Sequence, residues 1–271
     1  RQHNNLYKMN DLFDIACNFT HESFDDDLEQ VIKDAMSIGV NKFLVVAADL
    51  EDAKKIDELI LTNKDLSYFT TGVHPHHAKT FNFESIKKMR GFINKNSPSA
   101  LGEMGLDFFR NLSSYEEQTF AFEEQIKLAI EFNKPIFLHQ RDSHEPFIKL
   151  LNHYKKDINK AVVHCFTGTQ KELDEYLNCD FYIGLTGWIC DERRNKDLRA
   201  SIKDIPLNRL MIETDSPYLI PRNLNPKPKS NRNEPKNLFH IATEIAKLRN
   251  ESIDEICNAT YQNSIDFFSQ A

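Results

Sequence analysis

The stretch Pro135-Ile-Phe-Leu-His-Gln-Arg-Asp142 sets the terms for the rest of the chain. Its apolar run is long enough for one buried strand, it stops at His139, and a helical pattern follows. The same design recurs as Ala161-Val-Val163 before His164, as Ala100-Leu-Gly102 before Glu103, and as Leu210-Met-Ile212 before Glu213-Thr-Asp215. Four predicted strands therefore end in residue types that ligate metals. In a parallel barrel the C-terminal strand ends share one face, and that face carries the chemistry.

The remaining units follow the same alternation. Leu12–Cys17 reads as strand one, and Leu28, Val31, Ile32 and Ala35 lie at helical spacing before Gly39. Lys42–Ala47 and Leu66–Val73 read as strands two and three, the latter running into His74-Pro-His-His77. Ser114-Tyr-Glu-Glu117 and Ser252-Ile-Asp-Glu255 carry the capping-box pattern that opens a helix. Phe181–Ile183 reads as strand seven, followed by a short helix over Asp197–Lys203. Eight strands alternating with helices, at about 30 residues per unit, predict an α/β fold of the (β/α)8 TIM-barrel type. A doubly wound open sheet is disfavoured because no Gly-x-Gly-x-x-Gly follows strand one. No linker or low-complexity segment interrupts the pattern, so residues 1–271 read as one domain, with residues 1–10 as an extension to it.

Composition narrows the class. With 40% hydrophobic and 28% charged residues the chain reads as an ordinary globular protein, and no stretch approaches the roughly 18 apolar residues of a membrane span. The polar start, Arg1-Gln-His-Asn-Asn5, lacks the apolar region of a signal peptide. Five scattered cysteines without Cys-x-x-Cys argue against a disulfide framework and for a reducing, cytoplasmic setting. A net charge of −7 excludes a surface broadly basic for nucleic acid but not a local basic patch. One such patch stands out, Arg222 to Lys236, with Lys227, Lys229 and Arg232 among its cations.

Glu103, His139, His164 and Asp215 form no local motif; what unites them is their place after a strand. Carboxylates and neutral imidazoles on rigid strand ends are what a divalent cation needs. Glu213 and Asp215, two apart, point to the same side in extended chain, so one can bind metal while the other orients a ligand, or Glu213 forms a core-capping ion pair. His74 suits protonation of a leaving oxygen or contact with phosphate. His76 and His77, after Pro75, read as surface residues. Arg141 suits a phosphate clamp oriented by Asp142, or a structural ion pair with it. Phe108, Phe109, Trp188 and Tyr218 are aromatics that either stack bases or pack.

Taken together, several stretches resemble TatD-type deoxyribonucleases of the metal-dependent hydrolase superfamily. They are Asp14-Ile-Ala-Cys-Asn-Phe-Thr20, Gly72-Val-His-Pro-His76, Leu101-Gly-Glu-Met-Gly-Leu-Asp-Phe108, His139-Gln-Arg-Asp142, Val163-His-Cys-Phe-Thr-Gly168, Tyr182-Ile-Gly-Leu-Thr-Gly-Trp188, Ile212-Glu-Thr-Asp-Ser-Pro-Tyr218 and Arg232-Asn-Glu-Pro235. The resemblance runs from about Phe13 to Phe267. It implies a TIM barrel and a 3′→5′ exonuclease acting on single-stranded DNA, with RNA also accepted, in which metal-activated water attacks phosphorus. It places metal binding on Glu103, His139, His164 and Asp215. One departure is plain: the His-x-His of the wider family is replaced here by Ala16 and Asn18.

The expectation is therefore a Mg2+-dependent phosphodiesterase, with Mn2+ or Zn2+ as alternatives. Asp215 serves as base or water-positioner, Glu103 bridges to a second cation, His74 or Arg141 assists the phosphate, and Lys227, Lys229 and Arg232 hold the strand. A monomer acting without membrane contact is expected. Two other classes stay open: hydrolysis of another bond, such as an aminoacyl-tRNA ester, and a catalytically silent nucleic-acid-binding protein.

Overall fold

The structure, a computed structural model, describes residues 9–269; most of the expected N-terminal extension lies outside the described residues. Eight parallel strands form one sheet in sequential order. They are β1 (Leu12–Cys17), β2 (Val40–Val45), β3 (Tyr68–Thr71), β4 (Ala100–Asp107), β5 (Ile136–Arg141), β6 (Ala161–Val163), β7 (Tyr182–Leu185) and β8 (Leu210–Ile212). Between them run α1 (Leu28–Met36), α2 (Leu50–Thr62), α3 (Phe83–Asn96), α4 (Tyr115–Glu131), α5 (His144–Tyr154), α6 (Gln170–Asn178) and α7 (Lys196–Ser201). Two helices, α8 (Leu238–Arg249) and α9 (Ile253–Phe268), end the chain. The ring is closed between β1 and β8 by a parallel bridge, Cys17 to Ser216.

A buried carboxylate stitches that seam. Asp14, without solvent exposure, accepts from the backbone N–H and the hydroxyl of Thr214 and from the backbone N–H of Ala16. The barrel interior is apolar, filled by Phe13, Ile15, Leu44, Ala100, Phe137, Val162 and Met211. Phe267 and Phe268 of α9 pack on Phe13, Tyr68 and Tyr182, residues near the starts of β1, β3 and β7. The last helix thus plugs the N-terminal mouth and leaves chemistry to the other end. A second apolar layer lies between strands and helices.

Local signals set the helix starts. Ser114 Oγ accepts from Glu117 N at 3.1 Å while Glu117 returns a carboxylate to Ser114 N at 3.0 Å, and Ser252 with Glu255 repeats the arrangement. Two strands run further than hydropathy indicates. β4 continues through Glu103 to Asp107 and β5 through His139 to Arg141, so both candidate residues lie within strands rather than after them. The reason is their mutual ladder, with Gly105 opposite His139 and Asp107 opposite Arg141. Gly105 makes that approach possible: a Cβ there would fall 1.8 Å from the carbonyl oxygen of His139.

Candidate active site

Three imidazoles converge on one oxygen at the C-terminal face. Glu103 Oε1 lies 2.6 Å from His164 Nε2, 2.9 Å from His139 Nδ1 and 3.4 Å from His74 Nε2. Glu103 comes from β4, His139 from β5, His164 directly follows β6, and His74 follows β3. Rigid backbone therefore fixes each donor, and only His139 and His74 retain appreciable exposure.

The outer ring nitrogens decide what the inner ones present. Asp107 Oδ2 lies 3.0 Å from His139 Nε2, and Glu213 Oε1 lies 3.0 Å from His164 Nδ1. A carboxylate only accepts, so each outer nitrogen carries a ring proton. Glu103 is a carboxylate too, so His139 Nδ1 and His164 Nε2 also donate, each ring being an imidazolium between two acceptors until a cation takes the place of the inner proton. Positive charge therefore sits between the Glu103 oxygen and the two rings, either as their protons or as a metal ion that replaces them. Four carboxylates (Glu103, Asp107, Glu213 and Asp215) surround the site, with Arg110 and Arg141 on the wall of its cavity. Imidazole and carboxylate donors of this kind fit a divalent cation of borderline hardness.

His74 differs. The backbone N–H of His76 donates to its Nδ1 at 3.0 Å, which leaves the proton on Nε2, facing Glu103. Although His74, Glu103 and His139 offer atoms within 4.8 Å of one another, a protonated Nε2 makes His74 a hydrogen-bond donor in the site rather than a ligand. Burial, opposed by Glu103, drops its pKa to about 4, so the ring is neutral at neutral pH. The expected role as an acid for the leaving oxygen does not suit such a ring; donation of a neutral N–H to phosphate does.

Electrostatics follow the same geometry. Burial alone would raise Glu103, but the charge of His164 and the hydrogen bonds from His139 and His164 hold it well below the carboxylate range. Burial likewise opposes protonation of His139 and His164, yet Asp107 and Glu103 raise the first, and Glu103 and Glu213 raise the second. Asp215 behaves in the opposite way. Burial, helped by Glu213 and Glu103 and resisted by His164 and Asn18, pushes it up to about 7. Asp215 follows β8 with φ +57 and lines the cavity of about 440 Å3 that holds Glu103, His139 and His164.

The two departures from His-x-His have clear roles here. Ala16 is packed in the barrel interior. Asn18 donates its amide to Asp215 Oδ1 at 3.0 Å and to the Ser216 carbonyl at 3.0 Å, so a hydrogen bond aims Asp215 from that side.

Several expected residues stand elsewhere than foreseen. His76 is partly buried rather than free on the surface: its Nε2 lies 2.9 Å from Asp107 Oδ2, joining it to His139 through a shared oxygen. His77 is exposed. Arg141 stacks its guanidinium 3.7 Å over Phe109 instead of pairing with Asp142, whose φ of +52 turns the chain at the strand end. Trp188 and Tyr218 line the cavity, whereas Phe108 packs against Tyr115 and the core. Arg232 does not project: it pairs with Asp27 at 2.7 Å and Glu234 at 3.1 Å, and donates to the Ser23 carbonyl. Lys227 and Lys229 are exposed and have no ion pair among the described residues. Asp107 was missed by sequence reasoning. It stands four residues after Glu103, on the same side of a strand, and that parity was the available signal.

The chain matches known proteins over nearly its whole length. The profile of the family described as TatD related DNase matches residues 13–269. The chain is 41% identical over 260 residues to the 3'-5' ssDNA/RNA exonuclease TatD of Pantoea vagans, covering 96% of this chain and 100% of that one. It is 45% identical over 240 residues to the protein of the same name from Cronobacter sakazakii, covering 89% and 91%. Among solved structures, a TatD-family hydrolase from Entamoeba histolytica superposes with a TM-score of 0.88 at 28% identity, covering 96% and 99%. YJJV, a TatD homologue from Escherichia coli, gives 0.87 at 27% identity, covering 96% and 98%.

Proposed function

This chain belongs to the TatD-related DNase family, and we propose on that footing that it is a divalent-metal-dependent 3′→5′ exonuclease on single-stranded DNA and RNA. The observation that carries the metal reading is the convergence of His139 Nδ1 and His164 Nε2 on Glu103 Oε1, with Asp107 and Glu213 holding the outer nitrogens, so that a cation can take the place of the two inner protons. Glu103, His139 and His164 would hold the ion, with Asp215 completing the set. When bound, the cation supplies positive charge to the phosphoryl oxygens and lowers the pKa of water.

The chain's own groups do the rest. Asp215, unpaired by any Lys or Arg among the described residues and aimed by Asn18, accepts the proton of the attacking water; a carboxyl near 7 is matched to that task. His74 donates its Nε2–H to a phosphate oxygen without changing charge. Asp107 and Glu213 keep His139 and His164 in the tautomers the ion requires. Arg141, held flat on Phe109 at the cavity wall, takes a phosphate of the bound strand. Mg2+ is the ion proposed, since oxygen-rich substrate completes a site poor in soft ligands. The chain is proposed to act as a single-domain monomer in the cytoplasm, in keeping with its free cysteines. No helix among the described residues is long and apolar enough to cross a membrane.

The test uses a single strand labelled at either end and an acylated tRNA, each with Mg2+ or with EDTA. Stepwise loss of 3′-terminal nucleotides only with Mg2+ is expected. Deacylation of the tRNA without strand cleavage, or no turnover of either, would overturn the reading.

A further inference from the structure

A second cavity, of about 560 Å3, shares a wall with the first through Gln140, Arg141, His164, Cys165 and Thr167. Its far side is the segment after β7, where Arg193, Arg194 and Lys196 line it. Asp142, Glu172 and Asp197 also line it, but Glu172 is engaged in the cap of α6 through Thr169.

Behind this wall, three arginines share one carboxylate. Asp191, 5% exposed, is bidentate to Arg193 at 3.0 and 3.3 Å, lies 3.2 Å from Arg222 and 3.8 Å from Arg194. One negative charge cannot neutralise three guanidinium groups, and each of the three keeps more than half its side chain in solvent. In a chain of net charge −7 this is a local excess of fixed, fork-shaped donors, the kind that binds phosphate. Trp188, on the wall of the metal cavity, has the Arg194 guanidinium 6.0 Å from its ring. Asn195, buried in the wall of the second cavity, gives its amide N–H to the Trp188 carbonyl and leaves Oδ1 without a partner. The cations on the cavity wall, beside the Trp188 ring, suit a ligand carrying phosphate.

An exonuclease acting from the 3′ end must let the rest of its substrate leave the metal cavity. We propose that the second cavity receives the strand on the 5′ side of the scissile bond, with Arg193 and Arg194 gripping backbone phosphates and Trp188 stacking a base between the two cavities. The proposal rests on the phosphodiesterase reading above. It assigns sequence-independent affinity to these groups, because phosphate contacts position a strand and do not read it.

Fluorescence anisotropy in EDTA tests this without turnover, using a 5′-labelled single strand of about 12 nucleotides and a labelled trinucleotide. Arg193→Gln/Arg194→Gln should weaken binding of the longer strand about 10-fold and flatten its log–log salt dependence by about 1.4, or 0.7 for each of two phosphates. The trinucleotide should lose less. Arg193→Lys/Arg194→Lys keeps the charge and should recover the slope, which separates phosphate binding from a collapsed loop. An unchanged slope in the glutamine variant, or no recovery with lysine, overturns the proposal. A wild-type strand that binds with the expected slope but is not cleaved with Mg2+ sinks the exonuclease reading and leaves the cavity assignment standing.

Discussion

Glu213 receives the Nδ1–H of His164 at 3.0 Å, and the Nε2 of the same ring lies 2.6 Å from Glu103. A fully buried carboxylate thus keeps a proton on the outer nitrogen of a site histidine, so the inner nitrogen is the one a metal ion would take. Its other oxygen has no partner and lies beside Gly184, where a Cβ would come within 2.6 Å of it. Gly184→Ala should push Glu213 off His164, and its Cβ would also press on the His164 Cα, 3.3 Å away. The Mg2+ concentration for half-maximal activity should rise about 10-fold or more, the usual cost of losing such a supporting contact. A Mg2+ titration identical to wild type would show that Glu213 does not govern His164.

Direct removal of the residues proposed to hold the ion should act on rate rather than on fold. Glu103→Ala, His139→Ala, His164→Ala and Asp215→Ala should each lower kcat by about 10²-fold or more, comparable to losing a main electrostatic stabiliser. The barrel should survive, because β4 and β5 are held by their backbone ladder and the core is apolar. Activity should vanish in EDTA and return with Mg2+, while circular dichroism stays native. Near-native kinetics in Glu103→Ala would relocate the active site.

How far these features could be read in advance depended on what each one rests on. β1, β6 and β8 match their apolar runs residue for residue, since burial alone defines them. β4 and β5 do not, because their outer halves are polar and exist through pairing with each other. Ending β4 at Gly102 hid Asp107, and with it the reason His76 turns inward. The clustering of Glu103, His139 and His164 was legible from their common position at strand ends. The ion pair of Arg232 with Asp27 was not, since Asp27 lies far away in sequence and nothing local announces the contact.

Asp14 makes a prediction about stability and pH. Burial, opposed by its hydrogen bonds from Thr214 and Ala16, pushes its pKa up to about 7 from 3.8. Between those values the folded chain keeps a proton that the unfolded chain has released, so this group makes stability fall as pH rises through the window. Below about 4 and above about 7 its contribution is flat. Asp14→Asn removes the effect, because a neutral amide can still accept from Thr214 N and donate to its hydroxyl. In urea unfolding with EDTA, the variant should gain on wild type between pH 5 and pH 8 by up to a few kcal/mol, each pKa unit being worth about 1.4. A difference that does not change with pH would refute the assignment.

The loop after β8 offers a separate test of how an acidic protein holds a polyanion. Of its five cations, Arg222 is paired with Asp191, Arg232 with Asp27 and Glu234, and Lys236 with Glu234. Lys227 and Lys229 stand exposed, each following a proline that keeps the backbone from folding into a helix. If they touch backbone phosphates outside the cavities, Lys227→Gln/Lys229→Gln should flatten the salt dependence of single-strand binding by about 0.7 per lost contact. Turnover at saturating substrate should barely change, since neither residue lines the metal cavity. Arg232→Gln should instead lower thermal stability, because it removes the partner of Asp27 and frees the loop from the start of α1. An unaltered salt slope in the lysine double variant would remove the loop from the binding surface and leave phosphate contact to the arginines around Asp191.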